Sequence, residues 1–356
     1  MFNRSGRAGN YAYAVSRVKA KKALLLKDED YNKMLLMSVP EISRYISESG
    51  YQKEMTDLAG RLEGMDLVEH ATYTNMAKVF SSILQASQGE LKGMVQAYLE
   101  KWDIWNLKVI LRGKSYGLDP EGIREDLVPA GSLDSESLEK LLSLDSVEDI
   151  IANYDKMEHI TIPQDVISTY KSTGNLGEIE DYLDKAHYVR LVKSINPTSR
   201  PTRMFQDYVR TEIDIKNLET ILKLKAEGIH GEVVMKYIIP GGRQIDTRYA
   251  TQLANAETIA AASSDLSRLE FYDSIKGLVE SDKVSIREVV TEMKKYEIAA
   301  ANKFSHMYPL SVVPIIDYMI HKEIEVSNIR TISRGVESGL DADTIKGLLV
   351  IRWRSQ

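Results

Sequence analysis

Asp103-Ile104-Trp105-Asn106-Leu107, followed by Ile110, Gly117 and Leu118, is the stretch of sequence that decides the fold. The same pattern returns 111 residues later, from Asp214 to Ile229, and after another 111 residues, from Glu325 to Leu340. It consists of an acid, Ile or Val, any residue, Asn, and Leu or Ile, with an Ile and a Gly at fixed distances beyond. A pattern repeated three times in register indicates one structural unit present in three copies.

The repeated positions predict a structural role for particular side chains. The acid lies three residues before the asparagine, which puts both on one helix face. Asparagine inside a helix is less favourable than alanine by up to about 0.7 kcal/mol, so its return three times predicts a hydrogen bond that fixes helix packing. A shared ligand role is the alternative, and each glycine is expected to end its helix in the left-handed conformation. The structural repeat positions are Asp103, Asn106, Gly117, Asp214, Asn217, Gly228, Glu325, Asn328 and Gly339.

Other segments repeat with a similar spacing and define the copies. Leu127-Val128-Pro129-Ala130-Gly131 corresponds to Ile238-Ile239-Pro240-Gly241-Gly242, and Ser38-Val39-Pro40-Glu41-Ile42 resembles Ser146-Val147-Glu148-Asp149-Ile150. Leu26–Leu36 and Leu133–Leu142 are also alike. The sequence therefore predicts a basic leader helix over residues 1–25 and three helical repeat copies over residues 26–132, 133–244 and 245–356.

Apolar residues recur at helical spacing through nearly the whole chain, and strand-like alternation is almost absent. The predicted fold class is all-α, with three similar multi-helix subdomains. Three large copies are few for an open solenoid, which uses shorter repeats and polar caps. A pseudo-threefold funnel-shaped arrangement is the expectation.

Composition and charge exclude several classes of function. The 356 residues contain no cysteine, which removes disulfides, thiolate nucleophiles and cysteine-based metal sites. No apolar stretch approaches the roughly 20 residues that span a bilayer, and Met1–Asn10 lacks the apolar core of a secretory signal. The acidic body argues against a nucleic-acid binder. An organelle transit peptide is the alternative for Met1–Asn10, which bears arginines and no acid. The first 27 positions form a basic arm that either contacts an acidic partner or anionic headgroups or is a solvated terminus. This arm contains no acid and seven basic residues: Arg4, Arg7, Arg17, Lys19, Lys21, Lys22 and Lys27.

The sequence contains only incomplete versions of known catalytic and ligand-binding motifs. Gly113-Lys114-Ser115 lacks the first glycine of a phosphate-binding loop, and Asp28-Glu29-Asp30 lacks the fuller pattern of an all-helical prenyl-transfer enzyme. Trp102 and Trp105 could stack on bases, but a core or interface role is favoured because their counterparts in the second copy have no rings. The histidines show no metal-ligand spacing: His70, His159, His187, His230, His306 and His321. No catalytic, cofactor-binding or metal residue is predicted, and no cofactor.

Three segments carry a resemblance to a known family. They are Tyr11–Ala20, the Leu35-Leu36 pair before Ile42, and above all Asn106-Leu107-Lys108-Val109-Ile110-Leu111-Arg112-Gly113-Lys114. The chain resembles, over essentially its whole length, the C subunit of archaeal and related bacterial rotary ATP synthases, a relative of the d subunit of eukaryotic V-type ATPases. The third copy is less faithful, with Ser333 where Leu111 and Leu222 stand.

The resemblance implies a non-catalytic rotor subunit. Such a subunit would be a funnel of three subdomains on the cytoplasmic face of the cell membrane, peripheral to it, between the membrane proteolipid (c/K) ring and the central shaft made by the D and F subunits. No catalytic residue is carried over. Ring contact is expected at one end of the funnel, with Pro129, Gly131, Pro240 and Gly242 as candidate partner-interface residues. A helical-repeat adaptor for another protein is the main alternative, ahead of a prenyl-transfer type of enzyme.

Overall fold

The computed structural model describes residues 9–158, 160–281 and 284–351. His159, Arg4 and Arg7, and the predicted features at Met1–Ala8, lie outside the described residues. Within the described ranges the regular secondary structure is helical and contains no strand, which confirms the all-α prediction.

The chain divides into two compact units. Among the described residues, the first compact unit contains Gly9, Asn10 and those of Tyr73–Ser194, and the second contains Tyr11–Thr72 and those from Ile195 onward. The two parts of the second unit are separated in sequence by Tyr73–Ser194. The second compact unit therefore combines segments from near the start and the end of the described chain.

The helices of the first part of the chain lead up to the first repeat pattern. They are α1 (Tyr11–Lys22), α2 (Asp28–Met34), α3 (Val39–Ile46), α4 (Gln52–Leu58), α5 (Gly64–Ala86) and α6 (Gly89–Ser115). A π-helical turn over Ser47–Tyr51 separates α3 from α4. Helix α6 carries the first repeat pattern.

The middle of the chain contains α7 (Pro120–Glu125), α8 (Ser135–Leu142), α9 (Val147–Glu158), α10 (Gln164–Thr173), α11 (Gly177–Ser194), α12 (Arg200–Ala226) and α13 (Glu232–Met235). The remaining helices are α14 (Thr247–Asn255), α15 (Ile259–Leu266), α16 (Tyr272–Val279), α17 (Ile286–Met307), α18 (Val313–Glu337) and α19 (Ala342–Gly347). Helices α6, α12 and α18 carry the three repeat patterns, and each is followed by a short helix.

The three long repeat helices end in the same way. Gly117, Gly228 and Gly339 have φ angles of 69°, 75° and 70°, the left-handed region that glycine occupies without a Cβ penalty. The residue after Gly117 donates its backbone N–H to the carbonyl oxygen of Gly113 at 2.9 Å, and the equivalent bonds after Gly228 and Gly339 have the same length. These bonds satisfy carbonyl groups that the helix end would otherwise leave unpaired.

Among the described residues, three hydrophobic cores contain the ends of the repeat helices. The first core lies within residues 104–183 and the second within residues 215–293. The third core joins Tyr31–Ala71 to Ile329–Ile351. Each core therefore packs the end of a repeat helix and its short follower against helices that come after the predicted copy boundary, or, in the third core, against helices from near the start of the chain. The copy boundaries themselves remain a prediction about sequence repeats.

Candidate functional site

The three asparagines make the same pair of hydrogen bonds. Asn106 donates its Nδ2 to the carbonyl oxygen of Val128 at 2.8 Å and accepts from the Val128 N–H at 2.7 Å. Asn217 does the same with Ile239, at 2.8 Å for both bonds. Asn328 pairs with Val350 at 3.2 and 3.0 Å. Each partner stands 22 residues after its asparagine, beyond the short helix, so the amide side chain fixes the segment that leaves that helix.

The repeated acids hold the next segment of the chain. Asp103 accepts from the Ser132 N–H and hydroxyl at 2.8 and 2.7 Å and from the Leu133 N–H at 3.0 Å. Asp214 accepts three backbone N–H groups, from Arg243, Gln244 and Ile245, at 3.1, 2.8 and 2.9 Å. Both aspartates are fully buried. A buried carboxylate is tolerated when donors of this kind compensate it, and here they lock the chain as it enters the next helix.

Burial dominates the ionisation of these two acids. It raises the pKa of the Asp214 carboxyl to about 6, although three backbone N–H groups oppose the change. Burial also raises the pKa of Asp103, where the nearby Glu100 charge adds to the effect. Both groups therefore act as structural acceptors in a site of low polarity.

In the third copy the repeated acid, Glu325, binds residues from near the start of the described chain. Glu325 accepts from the Leu26 N–H at 2.6 Å, and Leu26 takes the place that Leu133 and Ile245 hold in the other copies. Its other oxygen accepts from the Tyr51 hydroxyl at 2.5 Å and from Lys322 Nζ at 2.8 Å. The pattern is thus completed by residues that lie far away in the sequence.

The Pro-x-Gly turns place their glycines against the same acids. A Cβ on Gly131 would lie 2.0 Å from Oδ1 of Asp103, and one on Gly242 would lie 2.3 Å from Oδ1 of Asp214. Gly131 is half-buried and Gly242 buried, so the structure gives both a role in local packing, whereas Pro129 and Pro240 are exposed. Contact of these four positions with a partner remains a prediction.

The incomplete phosphate-loop motif lies in the last turns of α6. A Cβ on Gly113 would lie 2.4 Å from Cγ1 of Ile123, and a Cβ on Gly335 would lie 2.6 Å from Cγ1 of Ile345. The two glycines occupy equivalent positions and allow the short helices α7 and α19 to pack closely on the repeat helices. Close helix packing explains glycine at these positions without a phosphate ligand.

The other candidate groups have local partners. Asp28–Asp30 form the first turn of α2, where Asp30 accepts from the Lys27 N–H at 2.7 Å and from the Tyr45 hydroxyl at 2.6 Å. Trp102 and Trp105 have ring centroids 6.1 Å apart, and Trp102 also packs edge-on against Tyr73. Across the described part of the chain, no group of three or more His, Cys, Asp or Glu residues is arranged to hold a metal ion.

A cluster of charged residues in the first compact unit was not predicted from the sequence. Glu100 and Glu158 line a pocket of about 570 Å³, together with Arg190 and Lys193. Glu100 Oε1 lies 3.0 Å from Arg190 Nη2, and Glu100 Oε2 lies 3.6 Å from Nδ1 of the buried His187. The cluster was missed because Glu100 and Glu158 are far apart in sequence and carry no recognisable motif, so only folding brings them together.

We expect the stability of the first compact unit to depend on pH through this cluster. Burial, with the charges of Asp103 and Glu100, raises the pKa of Glu158 to about 7, while Arg190 opposes the change. A group whose folded pKa is raised contributes stability at low pH and loses it as pH rises through that pKa. We expect Glu158→Gln to stabilise the first unit by about 1 kcal/mol at pH 8 and to change little at pH 5, since half-burial reduces the full effect.

Urea denaturation at both pH values measures this effect, with the exposed Glu125→Gln as the control. An equal gain at pH 5 and pH 8 would show that Glu158 is not the titrating group.

Known proteins match this chain over nearly its whole length. The family model described as ATP synthase (C/AC39) subunit matches residues 14–348. The chain belongs to this family. It is 37% identical over 348 residues to the C subunit of the A-type ATP synthase of Methanococcoides burtonii, covering 98% of this chain and 96% of the relative.

The C subunits of other A-type ATP synthases show the same full-length match. That of Archaeoglobus fulgidus is 35% identical over 97% of this chain and 98% of its own length. That of Halobacterium salinarum strain R1 is 32% identical over 96% and 98%. The resemblance noted in the sequence is therefore confirmed as family membership. No helix in the described ranges combines the length and apolar character needed to cross a membrane.

Proposed function

We propose that this protein is a non-catalytic central-stalk subunit of an A-type/V-type ATP synthase, which couples a shaft of D and F subunits to the membrane proteolipid (c/K) ring. The coupling would serve ion-driven ATP synthesis or ATP-driven ion pumping. The observation that carries the proposal is the full-length match to proteins named as the C subunit of A-type ATP synthases.

The geometry of the repeats suits a part that transmits torque. Such a part must not yield between its attachment points. A buried asparagine ties each of the three repeat helices to the segment that follows it. In the first two copies a buried aspartate adds a second tie to that segment. The asparagine bonds run from side chain to backbone and lie largely out of water, where they hold a segment firmly. A funnel formed by three such subdomains, on the cytoplasmic face of the membrane, is part of the proposal.

The exposed prolines are the proposed contact with the ring. Pro129 and Pro240 stand at the solvent side of turns whose neighbouring residues are anchored to Asp103 and Asp214. An anchored turn presents a fixed surface, which lowers the entropy lost on binding.

We expect the double variant Pro129→Ser, Pro240→Ser to pull down a purified proteolipid ring about tenfold less well than the unchanged protein, while it still binds a D/F shaft. The exposed Pro40→Ser is the matched control and should bind the ring normally. Ring binding unaltered in the double variant would refute this contact. Failure of the unchanged protein to bind either ring or shaft would refute the proposed function itself.

A further inference from the structure

The third core differs from the other two in how it is closed. The first core is built from one continuous stretch of chain, and so is the second. The third core joins two stretches that lie near opposite ends of the sequence. We call residues 11–72 the closing segment. It covers the apolar face that Ile329, Ile332 and Ile345 present, and it is far from α18 and α19 in the sequence.

Side chains hold the closing segment in place. Lys22 Nζ lies 2.6 Å from Oδ2 of Asp317, which is buried. Further along, Glu69 pairs with Arg330 and with Arg334, the latter at 2.7 Å. Glu325, Lys322 and Tyr51 form a buried cluster at the centre of the contact between the closing segment and α18. The aromatic ring of Tyr51 also lies 4.2 Å from Lys322 Nζ.

In the first and second cores the repeated acid binds a later segment of the same continuous stretch of chain. Asp103 and Asp214 bind backbone N–H groups of Leu133 and Ile245, which stand 30 and 31 residues further along the same stretch of chain. In the third core the backbone N–H of Leu26 binds Glu325, and side chains of the buried cluster supply the other bonds described above. Losing the Glu325 carboxylate would remove the opposite charge that binds Lys322 directly and leave its ammonium the Tyr51 hydroxyl and the weaker attraction of Glu54. A buried charge that loses its ion-pair partner is costly in a closed core, and opening relieves that cost.

We infer that the closing segment separates from α18 and α19 while the first and second cores stay closed. The Glu325 side chain holds the closing segment in its closed position. Opening of this kind is local, because proteins open in cooperative blocks and not only as a whole. The closing segment lies within the second compact unit, and its opening does not depend on the proposed function.

The absence of cysteine from the chain allows a direct test by thiol labelling. Ile42 in the closing segment and Ile150 in the first core occupy equivalent places in the Ser38–Ile42 and Ser146–Ile150 repeat, and both are fully buried. Ile275 is equally buried in the second core, within the same compact unit as Ile42. Each is replaced singly by cysteine in the full chain, and the labelling rate is measured without denaturant.

We expect Ile42→Cys to label about tenfold faster than Ile150→Cys and Ile275→Cys. Adding Glu325→Gln should accelerate labelling at position 42 by a further factor of about ten and leave the other two rates within about twofold. Far-UV circular dichroism of each variant checks that it is folded.

Two results would overturn the inference. Equal labelling at positions 42 and 275 would mean that the second compact unit opens as a whole. Acceleration by Glu325→Gln at all three positions would mean that Glu325 stabilises the entire chain and does not hold the closing segment specifically. If Glu325→Gln fails to fold, the comparison of the three single cysteine variants still decides between local and global opening.

Discussion

Replacing Asn106 with leucine is expected to lower the free energy of unfolding of the first compact unit by about 3 kcal/mol. Leucine is similar in size but can neither donate to the Val128 carbonyl oxygen nor accept from its N–H. Asn106 and Val128 are both buried, so water cannot replace the lost bonds. Two unpaired backbone groups in the interior each cost about 1 to 3 kcal/mol.

Urea denaturation followed by tryptophan fluorescence measures this change, because Trp102 and Trp105 lie on the same helix as Asn106. Asn153→Leu is the control in the same compact unit, since its amide donates to the Asp149 carbonyl oxygen one turn earlier in its own helix. The control should lose less than about 1 kcal/mol. An equally small loss for Asn106→Leu would mean that the repeated asparagine is not what secures the segment after α7.

Replacing Gly242 with alanine is expected to destabilise the second compact unit by about 3 kcal/mol. The new Cβ would lie 2.3 Å from Oδ1 of Asp214 and 2.7 Å from the Ile245 carbonyl oxygen. Neither atom can move freely, because the carboxylate accepts three backbone N–H groups and the carbonyl belongs to the main chain. The turn must therefore shift and release some of those bonds.

Gly277→Ala provides the opposite result in the same compact unit. Gly277 lies inside α16, and among the described residues a Cβ at this position would meet open space within 4 Å. Alanine should therefore stabilise the helix by up to about 1 kcal/mol. Urea denaturation followed by far-UV circular dichroism compares the two variants. Equal midpoints for both would show that the turn tolerates a side chain and that the glycine is not needed for the approach to Asp214.

Much of the local structure could be predicted from the sequence. The three repeat helices and their glycine ends follow from apolar spacing and from the need for a left-handed residue at Gly117, Gly228 and Gly339. The repeated asparagine indicated a hydrogen bond, because its helix propensity is poor. The bond partner, a backbone group 22 residues later, could not be predicted, since the path of the chain after the short helix is set by tertiary packing.

The composition of the cores could not be predicted from the repeats. A repeat in sequence shows which segments are equivalent and does not show which neighbours they pack against. Leu133 and Leu138 pack with the helix of the preceding copy, and Tyr31 and Met34 pack with the last long helix of the chain. Chain connectivity alone would have favoured packing within each copy.

The sequence predicted the candidate interface only in part, because it does not show which residues pack together in the fold. The Pro-x-Gly pattern predicted a turn, and the exposure of Pro129 and Pro240 leaves them available for a partner. The close approach of Gly131 and Gly242 to buried aspartates brings together residues that are distant in sequence. Glycine in a turn has an ordinary conformational explanation, so the tighter packing requirement gave no separate signal.

Coupling in a reconstituted complex tests the central claim most directly. Purified proteolipid ring in vesicles, the catalytic head and the D/F shaft are combined with and without this protein, and ATP hydrolysis and ion movement are measured together. We expect ion movement to accompany hydrolysis only when the protein is present. Equal ion movement per ATP hydrolysed in its absence would contradict the assignment as the coupling subunit.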